Sequence, residues 1–278
     1  MGASHGSSAT NPSNPPDTSS PRSKLKPAIP ASTPSTPATP STASLASTAR
    51  RVLAGDFSRA SLLAFLFIVL GTITVLLVVA WILYDQHDPG EPYDILVNQI
   101  SHLGDPGHNP VGCYFFSIAL WTFSFAAVPL LRFYRHVLPP LQAKVTGVFT
   151  VFFALGIPGT ALVGFFPSAL SKVVHVIAAG FAFGGIGLAY FFAGIGFITS
   201  KLRGHDPRIP PALVIASAAF IAFVIAGFAV VGYTAAAGIF DDVEGTWLSF
   251  SLWEWLLLIA ICAMTAAISI PLVKGNPC

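Results

Sequence analysis

Residues 61–84 read SLLAFLFIVLGTITVLLVVAWILY and contain no charged side chain. About 20 consecutive apolar residues are enough for an α-helix to cross the hydrocarbon core of a bilayer. This run therefore predicts a membrane-spanning helix. It decides the fold class because comparable runs recur through the rest of the chain, and no soluble domain fits between them.

Five further apolar segments follow, at about residues 113–131, 145–165, 173–198, 211–238 and 247–273. Hydrophobic residues make up 54% of the 278 residues and charged residues only 9%, whereas a soluble protein carries about 25% charged residues. With a mean hydropathy of +0.72, the chain cannot cover a water-exposed surface with polar side chains. The sequence predicts an all-α, polytopic membrane protein in which residues 56–278 form a six-helix transmembrane bundle.

Residues 1–55 differ in composition from this bundle. Ser, Thr, Pro and Ala dominate them, as in the run TPSTPATPSTAS, and few aliphatic side chains are present. Such a segment buries too little apolar surface to offset the entropy lost on ordering. We predict a disordered cytosolic tail rather than a cleavable signal peptide, because no apolar segment follows its start.

Charged residues alternate between the two sets of loops, and basic side chains favour the cytosolic side. One set of flanking segments holds nearly all of the basic residues of the bundle: Arg50, Arg51, Arg59, Arg132, Arg135, Lys144, Lys201, Arg203, Arg208 and Lys274. The other set contains Lys172 and most of the acidic residues: Asp85, Asp88, Glu91, Asp94, Asp105, Asp241, Asp242 and Glu244. Six spans with both termini in the cytosol account for both sets.

Residues 93–110, YDILVNQISHLGDPGHNP, are the polar exception between the first two helices, and we call them the cap. The cap contains neither Lys nor Arg, and the predicted topology places it outside the cytosol. Residues 100–103 are typical of a short amphipathic helix, with Ile100 and Leu103 facing the membrane. Asn109-Pro110 is typical of a turn that starts the second helix.

Two ionisable residues lie inside helices near the same end as the cap. His175 lies about one turn into the fourth helix and Glu254 about two turns into the sixth. Ionisable groups at membrane depth are functional candidates by default. Together with Ser101, His102 and Asp105 of the cap, they are predicted to converge on one outward-facing pocket.

Both helix residues also have a structural interpretation. Glu254 stands between Trp253 and Trp255, which is typical of a side chain at the lipid headgroup level. A neutral His175 bound to a loop carbonyl would equally satisfy the need of a buried polar group for a partner. These alternatives stay open.

Small residues and one proline give further expectations inside the helices. One side of the fourth helix carries Gly180, Gly184, Gly187 and Gly194, a pattern that predicts close helix packing. Pro158, within the third helix, predicts a kink beside the pocket.

Motifs for metal binding or catalysis do not accompany these residues. Cys113, Cys262 and Cys278 lack metal-type spacing, and the sequence has neither an HExxH nor a GxSxG motif. We therefore predict no metal, no cofactor and no nucleic-acid partner, and we assign no catalytic residue.

The cap also carries a family resemblance. Its N-x-I-S-x-L-G core at residues 98–104, followed by Asn109-Pro110, resembles the signature of the DUF998 family, six-helix membrane proteins of unknown function. A similar I-S-x-x-G segment relates it in pattern to the Frag1/DRAM/Sfk1 proteins. His102 stands where the DUF998 family commonly has Asp. The resemblance implies a fold and a topology, and it implies no reaction.

Three functions are compatible with these features. We favour a non-enzymatic bundle that is lipid-associated or regulatory, with membrane lipids as partners and a protein partner reached through the cap or the tail. The first alternative is a membrane-embedded lipid hydrolase at the outer leaflet, with Ser101 as nucleophile or water-positioning group, His102 or His175 as base, and Asp105 or Glu254 as orienting carboxylate. The second alternative is a small-molecule transporter. We expect the plasma membrane, because residues 275–278 hold no retention signal.

Overall fold

A computed structural model describes residues 42–87, 90–138, 143–204, 209–239 and 242–273. Within these ranges the regular secondary structure is helical, and no strand is present. Six helices in the described part of the chain are long and apolar enough to cross a membrane. The prediction of an all-α, multi-pass membrane bundle is confirmed.

The helices follow one another in chain order. They are α1 (Thr42–Ala54), α2 (Arg59–His87), α3 (Gly112–Val137), α4 (Ala143–Phe165), α5 (Lys172–Ala179), α6 (Gly185–Leu202), α7 (Pro211–Ala237) and α8 (Phe250–Leu272). A π-helical turn, Gly180–Gly184, joins α5 to α6, so that these elements form one span, Lys172–Leu202. A 3₁₀-helix, Ile100–Gly104, lies in the cap between α2 and α3.

Two spans have a boundary that hydropathy alone does not predict. α3 continues to Val137 rather than residue 131, because its basic last turns extend the helix beyond its apolar part. α8 begins at Phe250 rather than residue 247. There the Ser249 side chain accepts a hydrogen bond of 3.4 Å from the Leu252 N–H, and an N-cap of this kind fixes the start of a helix.

The predicted tail differs from the structure in its last part, where Thr42–Ala54 forms α1. The remainder of that prediction falls on residues 1–41, which lie outside the described residues. So do the following residues of the charge and cysteine patterns: Asp88, Arg208, Asp241, Lys274 and Cys278.

Gly55 ends α1 and brings the chain close to α3. Its φ is +79°, and a Cβ atom built on it would lie 2.5 Å from the backbone nitrogen of Phe133. Both the left-handed conformation and the close approach require glycine. On the same side, the Arg132 guanidinium donates a hydrogen bond to the Leu53 carbonyl. α1 is therefore attached to the end of the bundle opposite the cap.

Two buried clusters fill the bundle. The larger one surrounds Tyr134 and Tyr190, which are 0% exposed. The smaller one lies beneath the cap and includes Tyr93, Ile100 and Leu103. Ile100 and Leu103 thus face the protein core, and the prediction that they face the membrane is wrong, because the cap folds over the helix ends.

Apolar side chains also cover the outside of the bundle. Phe67, Phe125 and Phe228 are 82%, 76% and 70% exposed, respectively. Large exposed apolar surfaces of this kind are unfavourable in water and mark a membrane contact. Lipid is therefore the natural solvent of the helices.

Glycines bring α4 and the fourth span into backbone contact. A Cβ atom on Gly185 would lie 2.8 Å from the Gly156 nitrogen, and one on Gly159 would lie 2.5 Å from the Ala182 nitrogen. Pro158 lies between these glycines, and α4 continues on both sides of it. This contact fixes α5 and the π-helical turn at the end of the bundle where the cap lies.

Candidate functional site

Asn109 attaches the cap to α2 and to the start of α3. Its Nδ2 donates to the carbonyls of Ala80 (2.9 Å) and Leu103 (3.0 Å). Its Oδ1 accepts from the Gly112 N–H (3.0 Å), and the side chain is fully buried. The residue is therefore an internal anchor as well as part of a turn.

Tyr93 attaches the beginning of the cap to α8. Its hydroxyl donates to the Gln99 carbonyl and accepts from Trp255 Nε1, both at 2.9 Å. Its backbone N–H donates to the Asp85 carboxylate (2.8 Å). Burial raises the pKa of the Tyr93 hydroxyl well above its usual value, so the group acts as a neutral hydrogen-bond partner.

Glu254 lies on α8 and contacts the backbone of the cap. Its Oε2 accepts a hydrogen bond of 2.9 Å from the Ile100 N–H, at the first residue of the 3₁₀-helix. On the loop before α8 and its first turn, Ser249 and Ser251 donate to the carbonyls of Leu96 and Val97. The start of α8 and the cap are thus joined by side-chain to backbone hydrogen bonds.

His175 is held by a loop carbonyl, as one of its two interpretations predicted. Its Nδ1 lies 2.8 Å from the Phe166 carbonyl oxygen, and the side chain is 6% exposed. Ser171 caps α5 by accepting from the Val174 N–H, and this fixes where the helix begins. Nε2 has no hydrogen-bond partner within the described part of the chain.

His102 and Asp105 lie on a different side of the cap from Ser101. His102 faces Asn98, with 3.5 Å between His102 Nδ1 and the amide nitrogen, and its ring stacks on His108. His108 Nδ1 lies 3.3 Å from the Asp105 carboxylate. Burial, with a smaller contribution from His108, lowers the pKa of His102, so the ring favours its neutral form.

A lateral cavity of ≈ 480 Å³ lies below the cap, lined by residues of α5, the π-helical turn, α6, α7, α8 and the cap itself. Two of its lining residues, Val176 on α5 and Phe228 on α7, are 59% and 70% exposed. The cavity therefore opens on the side of the bundle, between these helices. Its walls are largely apolar, and the polar lining residues are Gln99, Ser101, His175 and Glu254.

A smaller cavity of ≈ 60 Å³ lies behind the lateral one, in the centre of the bundle. The two cavities share Ser101, His175 and Glu254 among their lining residues. Neither cavity is lined by His102 or Asp105. Of the five candidate site residues, the structure brings Ser101, His175 and Glu254 together and leaves the other two outside both cavities.

The glycines of the fourth span do not all pack against a neighbour. A Cβ atom on Gly194 would lie 3.2 Å from the Ser217 side chain, whereas Cβ atoms on Gly180, Gly184 and Gly187 would meet nothing within 4 Å. These three glycines line the lateral cavity. The packing interpretation holds for Gly194 and is wrong for the others, because the space that they free is empty.

A known protein family matches this region of the chain. The family model described as "Protein of unknown function (DUF998)" matches residues 72–271. The chain belongs to the DUF998 family. Neither a curated protein nor a solved structure matches this chain. The relation to the Frag1/DRAM/Sfk1 proteins stays a prediction.

The DUF998 region includes the cap and every residue that lines the two cavities, and it excludes α1. The described residues contain no group of three His, Cys, Asp or Glu that could hold a metal ion. Ser101 donates a hydrogen bond of 3.4 Å to Gln99 Oε1, and no hydrogen bond joins it to a histidine in the described ranges. A Ser–His nucleophile pair is thus not assembled.

Sequence reasoning missed several residues that build the site. Gln99 lines the lateral cavity, and Tyr93, Trp255 and Asn109 hold the cap. A local signal existed only for Asn109, since Asn-Pro is typical of a turn at the start of a helix. The others depend on contacts between the cap and α8, which are more than 150 residues apart in sequence.

Proposed function

We propose that this protein binds a single amphipathic lipid in the lateral cavity, with the headgroup under the cap and an acyl chain between the helices. The observation that supports this most is a largely apolar cavity of ≈ 480 Å³ that opens on the side of the bundle and ends at a few polar groups. Ligand sites of this size are typically apolar with a small number of placed polar side chains.

The three cavity-lining glycines support the same proposal. Gly187 is buried, yet a Cβ atom on it would meet no atom within 4 Å. A helix in a bilayer loses stabilising contacts where a void replaces a neighbour. Occupation by an acyl chain would restore these contacts, and a π-helical turn of the kind that is frequent at functional sites lies beside it.

Binding accounts for the site better than catalysis does. A hydrolase needs a nucleophile within hydrogen-bond reach of its base, and Ser101 is bonded to Gln99 instead. His102 and Asp105, two members of the hydrolase alternative, line neither cavity. With the cap outside the cytosol, the lipid would come from the outer leaflet of the plasma membrane.

Filling the cavity tests the proposal. The variant Gly184→Leu places an isobutyl group in the lateral cavity at a position where a Cβ atom meets nothing. We expect native mass spectrometry of the purified full chain to show a retained lipid in the parent and at least a tenfold lower bound fraction in the variant.

Gly147→Leu is the matched control. Gly147 lies on α4, is exposed, and also has no atom within 4 Å of a built Cβ, but it lines neither cavity. The control should retain lipid as the parent does. A parent that retains no lipid, or an equal loss in both variants, would contradict the proposal.

A further inference from the structure

We infer that the lipid in the lateral cavity has a headgroup that offers hydrogen-bond donors and carries no negative charge. This inference rests on the proposed lipid-binding function and names the class of lipid. It follows from which atoms remain unpaired where the cavity meets the cap.

His175 presents an acceptor to the cavity. Its Nδ1 is bonded to the Phe166 carbonyl oxygen at 2.8 Å. A carbonyl oxygen only accepts hydrogen bonds, so Nδ1 carries a proton, and in the neutral tautomer that this bond selects Nε2 is an acceptor. The side chain is 6% exposed and lines the cavity, so a bound molecule is the partner that Nε2 can reach.

Glu254 presents a second acceptor. One of its carboxylate oxygens accepts from the Ile100 N–H at 2.9 Å. The other oxygen has no partner in the described part of the chain. That free oxygen can accept from a hydroxyl group, and an ammonium group beside it would hold the carboxyl group in its ionised form.

Gln99 and Ser101 complete the polar end of the cavity. The Ser101 hydroxyl donates to Gln99 Oε1 at 3.4 Å, which leaves the Ser101 oxygen free to accept and the Gln99 amide group free to donate. Acceptors therefore outnumber donors around the headgroup position. A headgroup composed mainly of acceptors, such as a phosphate, would leave them unpaired.

Charge excludes anionic lipids more strongly than hydrogen bonding does. No Lys or Arg lines either described cavity. Within the described ranges, the salt bridges are Arg51–Asp56 and Asp105–His108, neither of which involves Glu254. A phosphate or carboxylate beside Glu254 would be a buried anion next to a carboxyl group that, charged or neutral, cannot neutralise it.

Two kinds of lipid supply the required chemistry. The glycerol hydroxyls of a monoacylglycerol donate without charge, and the ammonium of a long-chain amine donates and neutralises Glu254. The experiment therefore compares four single-chain lipids with the same 18-carbon chain, namely a monoacylglycerol, a primary amine, a fatty acid and a lysophosphatidate. Each is added to the purified full chain in detergent, and binding is measured by native mass spectrometry and by the shift in apparent Tm.

We expect the monoacylglycerol, the amine or both to bind at least tenfold more tightly than the fatty acid and the lysophosphatidate. The variant Glu254→Gln then distinguishes the amine from the monoacylglycerol. Its amide oxygen can still accept from the Ile100 N–H, so the contact with the cap is kept. The variant loses the second acceptor oxygen and the charge together, so amine binding, which loses an ion pair as well as a hydrogen bond, should weaken by about tenfold or more. Monoacylglycerol binding loses a hydrogen bond alone and should weaken by a smaller factor. The comparison of the four lipids in the unaltered chain decides the matter even if the variant fails to fold.

Anionic lipids that bind as tightly as the other two would overturn the inference. If all four lipids bind equally and Gly184→Leu abolishes binding, the headgroup inference fails while the lipid-binding proposal stands. If none of the four binds and Gly184→Leu changes nothing, both fail.

Discussion

At the scale of single residues, the cap is held by side chains that bond to backbone groups. Asn109 makes three such bonds, and Glu254 makes one to Ile100. Backbone groups that are buried away from water must be paired within the protein. A loop of irregular structure can close one end of a membrane bundle because these side chains provide the pairing.

Replacement of Asn109 by Ala should therefore destabilise the protein. The change leaves buried partners without their hydrogen bonds, which lowers the free energy of unfolding by about 2 kcal/mol or more. A change of that size lowers Tm by roughly 4–8 °C in a chain of this length. The measurement is the apparent Tm of the purified protein in detergent, followed by tryptophan fluorescence.

Asn98→Ala provides the control for this prediction. Asn98 is half-buried; its Oδ1 accepts from the Asp94 N–H at 2.8 Å in a hydrogen bond that is open to water, and its amide nitrogen lies 3.5 Å from His102 Nδ1. We expect a decrease in Tm of no more than about 2 °C, because water replaces the lost bond. Equal decreases in the two variants would show that Asn109 is not an anchor.

Single residues also show how much of the site could be predicted from the sequence. Ser101, His175 and Glu254 were placed together because topology and depth along the helices bring them to one end of the bundle. His102 and Asp105 were grouped with them only by proximity in sequence. In the 3₁₀-helix, Ser101 points towards the core and His102 away from it, and the direction depends on the tertiary contact with Glu254.

At the scale of helices, a neutral polar network joins α8 to the centre of the bundle. Tyr134 on α3 bonds to the Ser269 hydroxyl at 2.8 Å, and Tyr190 on α6 bonds to the Thr265 hydroxyl at 2.6 Å. All four side chains are at most 2% exposed. Hydrogen bonds between spans fix the rotation and depth of α8, and α8 in turn presents Glu254 to the cavity.

Tyr134→Phe should weaken this connection without creating a cavity. Interhelical hydrogen bonds in membranes contribute about 1 kcal/mol each, so we expect a decrease in apparent Tm of roughly 2–4 °C. Tyr114→Phe, on the same helix at a position that is 67% exposed, should leave Tm unchanged. A Tyr134 variant as stable as the parent would contradict a role of the network in holding α8.

Hydropathy predicted the spans well because a bilayer imposes one length on every crossing helix. It could not predict the π-helical turn or the lateral cavity. Glycines that allow close packing and glycines that border a void give the same sequence pattern, as Gly194 and Gly184 show. Only the position of α7 relative to the fourth span distinguishes the two cases.

At the scale of the whole molecule, charge is distributed unequally between the two ends of the bundle. Adjacent spans run in opposite directions, so α2 begins and α8 ends at the end opposite the cap. The described residues at that end include Arg132, Lys144 and Arg203, whereas the cap end includes Glu91, Asp94 and Asp242. Basic residues in short loops favour the cytosolic side, and this asymmetry supports a cap outside the cytosol.

Cysteine labelling tests that orientation directly. In a background in which the three native cysteines are replaced by Ser, Glu91→Cys and Arg203→Cys each place one exposed thiol at opposite ends of the bundle. A membrane-impermeant maleimide added to intact cells should label the Glu91 variant and not the Arg203 variant, and permeabilised cells should label both. The reverse pattern would overturn the orientation, and the lateral site would then sample the inner leaflet. The headgroup preference inferred from His175 and Glu254 would be unaffected, because it depends on the acceptors in the cavity and not on the side of the membrane.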